Sequence, residues 1–147
     1  MDDLAAEMNR QGSGLVAALG LEFVTASATE VVAELAVAPH HHQVHGLVHG
    51  GVHCAVVETV CSVGAMAEAR RRGQTVVGVE NHTSFLRPVR EGRLRAVARP
   101  LAAGRRMQLW EASISDEQGR LVATGRVRLF CIDPEGQELP VPARAPE

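Results

Sequence analysis

The chain has 147 residues, 46% of them hydrophobic and 22% charged, which suits one globular domain with a sizeable core and excludes wholesale disorder. Its net charge of −2 gives no overall electrostatic reason to expect nucleic acid as a partner. All 15 basic residues are arginine, whose planar fork suits phosphate wherever a few gather.

Taken in chain order, residues 3–19 place Leu4, Met8, Leu15, Val16 and Leu19 so as to predict one or two short helices, broken at Gly12 and Gly14. This start is acidic and amphipathic, unlike a secretory signal. No apolar run approaches the ~18 residues that span a bilayer. A cytoplasmic protein without a membrane partner is the expectation. Leu21–Thr25 reads as a short strand. Glu30–Ala38 reads as a longer one, with Val31, Ala33, Leu35 and Val37 on one face, and Pro39 closes it. Segment 40–49 has no period and reads as a loop; with His53 it brings together six of the seven histidines.

From Val52 to about Arg72 the pattern turns helical, with Val56, Val60, Val63 and Ala67 at three- and four-residue spacing and Cys54, Val57 and Cys61 beside them. A helix apolar round most of its circumference must be wrapped by something. Arg70, Arg71, Arg72 and Gly73 supply a favourable dipole partner and a stop. The three cysteines lack metal-type spacing; Cys54 and Cys61, seven apart near one face of this helix, read as small buried hydrophobes. Strand patterns follow at Thr75–Val79 continuing towards Leu86, Leu94–Leu101, Met107–Ser115 and Leu121–Phe130. Asp116–Gly119 forms the last turn, and the Pro- and Glu-rich tail 134–147 reads as loose. The whole is α+β, one domain over 1–147 with a core of about 15–132, an antiparallel sheet curling around one long central apolar helix.

Chemistry concentrates where the loop meets that helix. The first N–H groups of a helix lack internal partners and sit at the positive end of its dipole. Gly50 and Gly51 would let a carbonyl oxygen approach those groups closely. Glu58 lies eight residues after Gly50, about two turns on, in a segment too apolar to need a charge there. An idle carboxylate in such a place is costly. Ser62 follows one turn later, where its hydroxyl could hold a water beside Glu58.

The stretch Gly46-Leu47-Val48-His49-Gly50-Gly51 followed by Glu58 resembles the active-site segment of hotdog-fold acyl-CoA thioesterases. The similar members are the phenylacetate-degradation type and the 4-hydroxybenzoyl-CoA thioesterase branch with a helix-borne Glu. The likeness continues through Val76–Asn81, Arg87–Gly92, Pro100-Leu101, Gly104-Arg105, Gln108-Leu109-Trp110 and Asp116–Arg120, covering roughly residues 15–132. The resemblance implies hydrolysis of an acyl- or aroyl-CoA thioester, with no cofactor beyond the CoA of the substrate. By it Glu58 is nucleophile or general base, and the Gly50 N–H polarises the carbonyl with help from His49. Gln43 contacts the thioester region and Ser62 positions water. It also implies a dimer or dimer of dimers with sites across the interface. The CoA groove would be drawn from Gly51, Asn81, His82, Ser84, Arg87, Arg90, Arg105 and Arg106. Phe85-Leu86 stands where some aroyl-thioesterases carry a histidine, which implies a more apolar acyl pocket.

Three rival readings remain. His41, His45, His49 and His53 recur at four-residue intervals and could gather a metal. Pro39 and the glycines interrupt any continuous helix there, no Cys or acidic residue lies within the cluster, and no metal site is expected. A non-catalytic acyl-CoA binder on the same fold would have no use for Glu58. A hydratase would need the His49–Glu58 pair to move a proton on the acyl chain.

Overall fold

The structure is a computed structural model that describes residues 3–134; the expected loose tail lies, beyond Pro134, outside them. Two short helices, α1 (Leu4–Gln11) and α2 (Gly14–Leu19), lead into strands β1 (Leu21–Ala26) and β2 (Val31–Ala36). A 3-10 turn (Pro39–His41) and a loop precede helix α3 (Gly50–Arg70). Strands β3 (Thr75–Phe85), β4 (Arg93–Ala103), β5 (Met107–Ser115) and β6 (Leu121–Ile132) complete one antiparallel sheet in the order β1-β2-β4-β5-β6-β3. The expected sheet around a central helix, the hotdog arrangement, is therefore present.

Some boundaries differ from expectation. β2 ends at Ala36, before Val37. β3 runs to Phe85, in keeping with a strand continuing towards Leu86. Helix α3 begins at Gly50 rather than Val52, because His49 caps it: the His49 Nδ1 accepts a hydrogen bond from the Gly51 N–H at 2.8 Å. By length and composition α3 would pass for a membrane span. Here Val56, Val57, Val60, Cys61 and Ala65 are instead buried against the sheet.

The helix lies close to the strands where side chains are missing. The Trp110 ring of β5 occupies the space a Cβ at Gly64 would need, and the Val57 Cγ1 stands 2.9 Å from where a Gly125 Cβ would be. Trp110 is fully buried, and its Nε1 donates to the Gln108 Oε1 at 2.9 Å. The Gln108 Nε2 donates in turn to the Ala65 carbonyl of α3 at 2.9 Å, so the polar atoms of this core pair are satisfied.

The two edges of the sheet are treated differently. On β1 the Asn9 side chain from α1 clasps the backbone of Phe23, its Nδ2 donating to the Phe23 carbonyl at 2.9 Å and its Oδ1 accepting from the Phe23 N–H at 2.8 Å. At the other edge β3 has no strand beyond it among the described residues.

Candidate active site

The loop before α3 is held by its histidines. The His41 Nδ1 accepts from the Ala38 N–H at 2.9 Å, which leaves its Nε2 protonated to donate to the Leu19 carbonyl at 2.8 Å. The His40 Nε2 bonds the Ala18 carbonyl and the His42 Nε2 the Arg90 carbonyl. Burial lowers the His41 pKa from its ordinary value. These rings face separate backbone carbonyls, and among the described residues no three His, Cys, Asp or Glu side chains converge as metal ligands.

At the start of α3, His49 uses its Nδ1 on the Gly51 N–H. Gly51 is thereby spent inside the helix cap, and His49 acts on its own backbone. Among the described residues the Gly50 N–H has no hydrogen-bond acceptor. It belongs to the wall of a cleft of about 280 Å³ that Gln43, Leu47, Val48, His53, Phe85 and Leu86 also line. The Phe85 ring lies over Gly50, 2.6 Å from where a Cβ would stand, so only glycine leaves the helix end bare. Gln43 contributes from the loop, its Oε1 accepting from the His45 N–H. Arg87 lies exposed at the rim.

Glu58 is half-buried against β3. Its Oε2 accepts from the Asn81 Nδ2 at 3.0 Å, and the same amide donates to the Cys54 carbonyl at 3.0 Å. The Thr83 hydroxyl donates to the Asn81 Oδ1 at 2.6 Å and fixes the amide's orientation. The Glu58 Oε1 sits 2.5 Å from where a Cβ of Gly78 would be. The carboxylate thus rests in a notch made by a missing side chain and is gripped by an amide. Its charge and burial push the Cys61 thiol up to about 12, burial first and Glu58 second. Ser62 stands one turn beyond Glu58, half-buried and without a hydrogen bond to it.

Several expected neighbours are separated. Asn81 is exposed, and its amide grips Glu58. His82 and Ser84 pair with Arg126 and Thr124 and face away from α3, because side chains alternate along a strand. Arg90 donates to the His45 carbonyl and braces the loop. Arg105 and Arg106 lie in the β4–β5 turn, which Arg72 tethers to the C-terminal end of α3 through the Gly104 and Ala103 carbonyls. The length of α3 puts that turn about 30 Å from Gly50. Gly50 and Glu58 are themselves about 12 Å apart along the helix axis. One protomer does not bring them to a common atom. Sequence reasoning missed Gly78 and Thr83, and considered His53 only as a metal ligand; the signal for another role was its place within the apolar run of α3.

The family model described as the thioesterase superfamily matches residues 45–123. A Mycobacterium tuberculosis protein given the provisional name of esterase is 43% identical over 113 residues, 76% of this chain and 81% of its own. The proofreading thioesterase EntH of Cronobacter turicensis is 41% identical over 113 residues, covering 77% of this chain and 82% of that protein. A crystal structure of a Haemophilus influenzae thioesterase superposes with a TM-score of 0.85 at 30% identity, covering 91% of this chain and 94% of that one.

Proposed function

The chain belongs to the thioesterase superfamily, and on that premise we propose that its substrate is an acyl- or aroyl-CoA ester, split to the free acid and CoA by Glu58. The observation that carries this reading is the grip on Glu58: a carboxylate on an apolar helix, held by Asn81 over the bare backbone of Gly78. The same helix presents the Gly50 N–H at its positive end to a cleft. There the thioester oxygen would accept that N–H, with Gln43 beside it, and gain negative charge as the carbonyl carbon is attacked. The carboxylate either takes the proton of a water that attacks the carbon, or attacks it directly to give a mixed anhydride that water then hydrolyses to the free acid and Glu58. The C–S bond breaks and the thiolate departs as CoA. This assigns the chain to the branch with a helix-borne Glu.

Because the two groups sit two turns apart, the Glu58 that serves one carbonyl comes from a second copy, docked along the free edge of β3. A dimer is thus the working unit in this reading, and neither a metal nor another cofactor takes part. Chelation of purified protein is expected to leave the rate unchanged.

The test is thiol release from a panel of acyl- and aroyl-CoA esters, wild type against Glu58→Gln and Glu58→Ala. The expected loss in kcat is at least about 100-fold, the range for a positioned base. Undiminished turnover in Glu58→Ala removes Glu58 from the chemistry. Binding of CoA esters without hydrolysis across the panel makes the protein a carrier.

A further inference from the structure

His53 has no part in the chemistry above, yet it stands inside the cleft that receives the acyl group. It lies three residues after Gly50, so the two are neighbours on one helix face, about 5–6 Å apart. Only 3% of its surface is exposed, and its Nδ1 is buried without a hydrogen-bond partner. Native interiors hold few such atoms, because stripping water from a polar group without replacing it is costly. Four of the five histidines before it, His40, His41, His42 and His49, spend a ring nitrogen on backbone groups, and the fifth, His45, is exposed. His53 alone in this segment is both deeply buried and unspent at Nδ1. Burial also lowers its pKa, so the ring is neutral near pH 7 and carries one donor and one acceptor nitrogen.

The surroundings narrow the ligand. The Phe85 ring lies 5.9 Å from the His53 ring, centroid to centroid, at 39°, and Leu86 and Val48 extend the apolar wall. A cleft of about 280 Å³ has room for more than an unsubstituted ring, since a cavity of about 150 Å³ holds benzene. Apart from Gln43, placed beside the thioester oxygen, and Arg87 at the rim, the walls are apolar around one unpaired imidazole, which fits an acyl group that is mostly hydrocarbon and bears one polar substituent.

We propose that His53 is the specificity residue of this site, hydrogen-bonding a hydroxyl or oxo group set a few bonds beyond the thioester carbonyl. The assignment rests on the acyl-CoA reading and adds to it the feature of the acyl group that is recognised. Phe85 and Leu86 make one wall apolar; the polar contact comes from the first turn of the helix.

The experiment compares matched CoA esters that differ by one oxygen: butyryl with 3-hydroxybutyryl, and benzoyl with its 2- and 3-hydroxy isomers. The ratio of kcat/KM within each pair is measured in wild type, His53→Leu and His53→Gln. Wild type is expected to favour one hydroxylated member by about 10- to 100-fold, the range of one buried hydrogen bond. In His53→Leu that ratio falls towards one, through a greater loss on the hydroxylated ester than on the plain one. His53→Gln, which keeps a hydrogen-bonding head, retains part of the preference and guards against a variant that merely misfolds. Equal ratios in all three proteins overturn the proposal and leave the thioesterase reading standing. In parallel, imidazole NMR signals of His53 are followed in Glu58→Gln as each ester is added. If wild type hydrolyses nothing but hydroxylated esters still shift the His53 signals, the catalytic reading fails and the recognition role stands. Signals unmoved by every ester, with no hydrolysis, overturn both.

Discussion

At the residue scale, the position of Glu58 depends on an irregularity in β3. The register with β6 shifts between Gly78 and Glu80, so Val79 is an extra residue in the ladder. Without it, strict alternation from Gly78 would turn Glu80 and His82 towards the helix. With it, Asn81, Thr83 and Phe85 face α3, while Glu80 pairs outward with Arg128 at 2.9 Å. This is why Glu58 and Gly50 were legible from sequence while the role of Asn81 was not: a bulge leaves no mark on composition or period. Asn81→Ala removes a hydrogen bond to a charged group, and kcat should fall about 10- to 100-fold with KM little changed, as steady-state kinetics will show. Gly78→Ala should act similarly, since its Cβ would displace the Glu58 Oε1. Gly50→Ala drives a methyl into the Phe85 ring, and activity should return in part when Phe85→Leu is added. Rescue is the informative outcome, because simple loss of the glycine's flexibility would not respond to a change on β3.

At the element scale, α3 was the most legible part of the chain, because no exposed helix is apolar on nearly every side. What sequence could not show is how near it approaches the sheet, which depends on Gly64 and Gly125 meeting Trp110 and Val57 across the core. Trp110→Ala empties the largest fully buried side chain and should cost about 3–5 kcal/mol by denaturant unfolding. The loop ahead of α3 adds a dependence on acidity. Burial lowers the pKa of His41 and of His53 below the ordinary 6.5, so below that pH the unfolded chain binds protons the folded one refuses. Their neutral burial stabilises fully above about pH 6.5, and that contribution is lost as the pH falls further. Thermal melts should therefore shift downward from pH 7.5 to pH 5, and His41→Gln should be lower at neutral pH and flatter across the range.

At the scale of the whole molecule, the 12 Å between Gly50 and Glu58 makes a direct prediction about assembly. Glu58→Gln and Gly50→Pro, the second lacking the N–H, should each be inactive. Co-expressed, they should recover about one quarter of wild-type activity, because half of the symmetric dimers are mixed and each mixed dimer has one intact site of two. A mixture that stays inactive would place both groups of each site in a single protomer. Antiparallel order and the number of strands could be read from hydropathy; which strand would lie at an edge could not, since that follows from crossovers in space. Pairing through β3 would leave β1 at both ends of a doubled sheet. There Asn9 already fills the backbone of Phe23 with a side-chain amide that imitates a neighbouring strand. In such a pairing the clasp would act as a chain terminator: a third copy arriving edge-on would find that ladder position already satisfied, so strand addition would stop at two rather than run on into a filament. Any larger complex of this protein would have to grow by stacking faces.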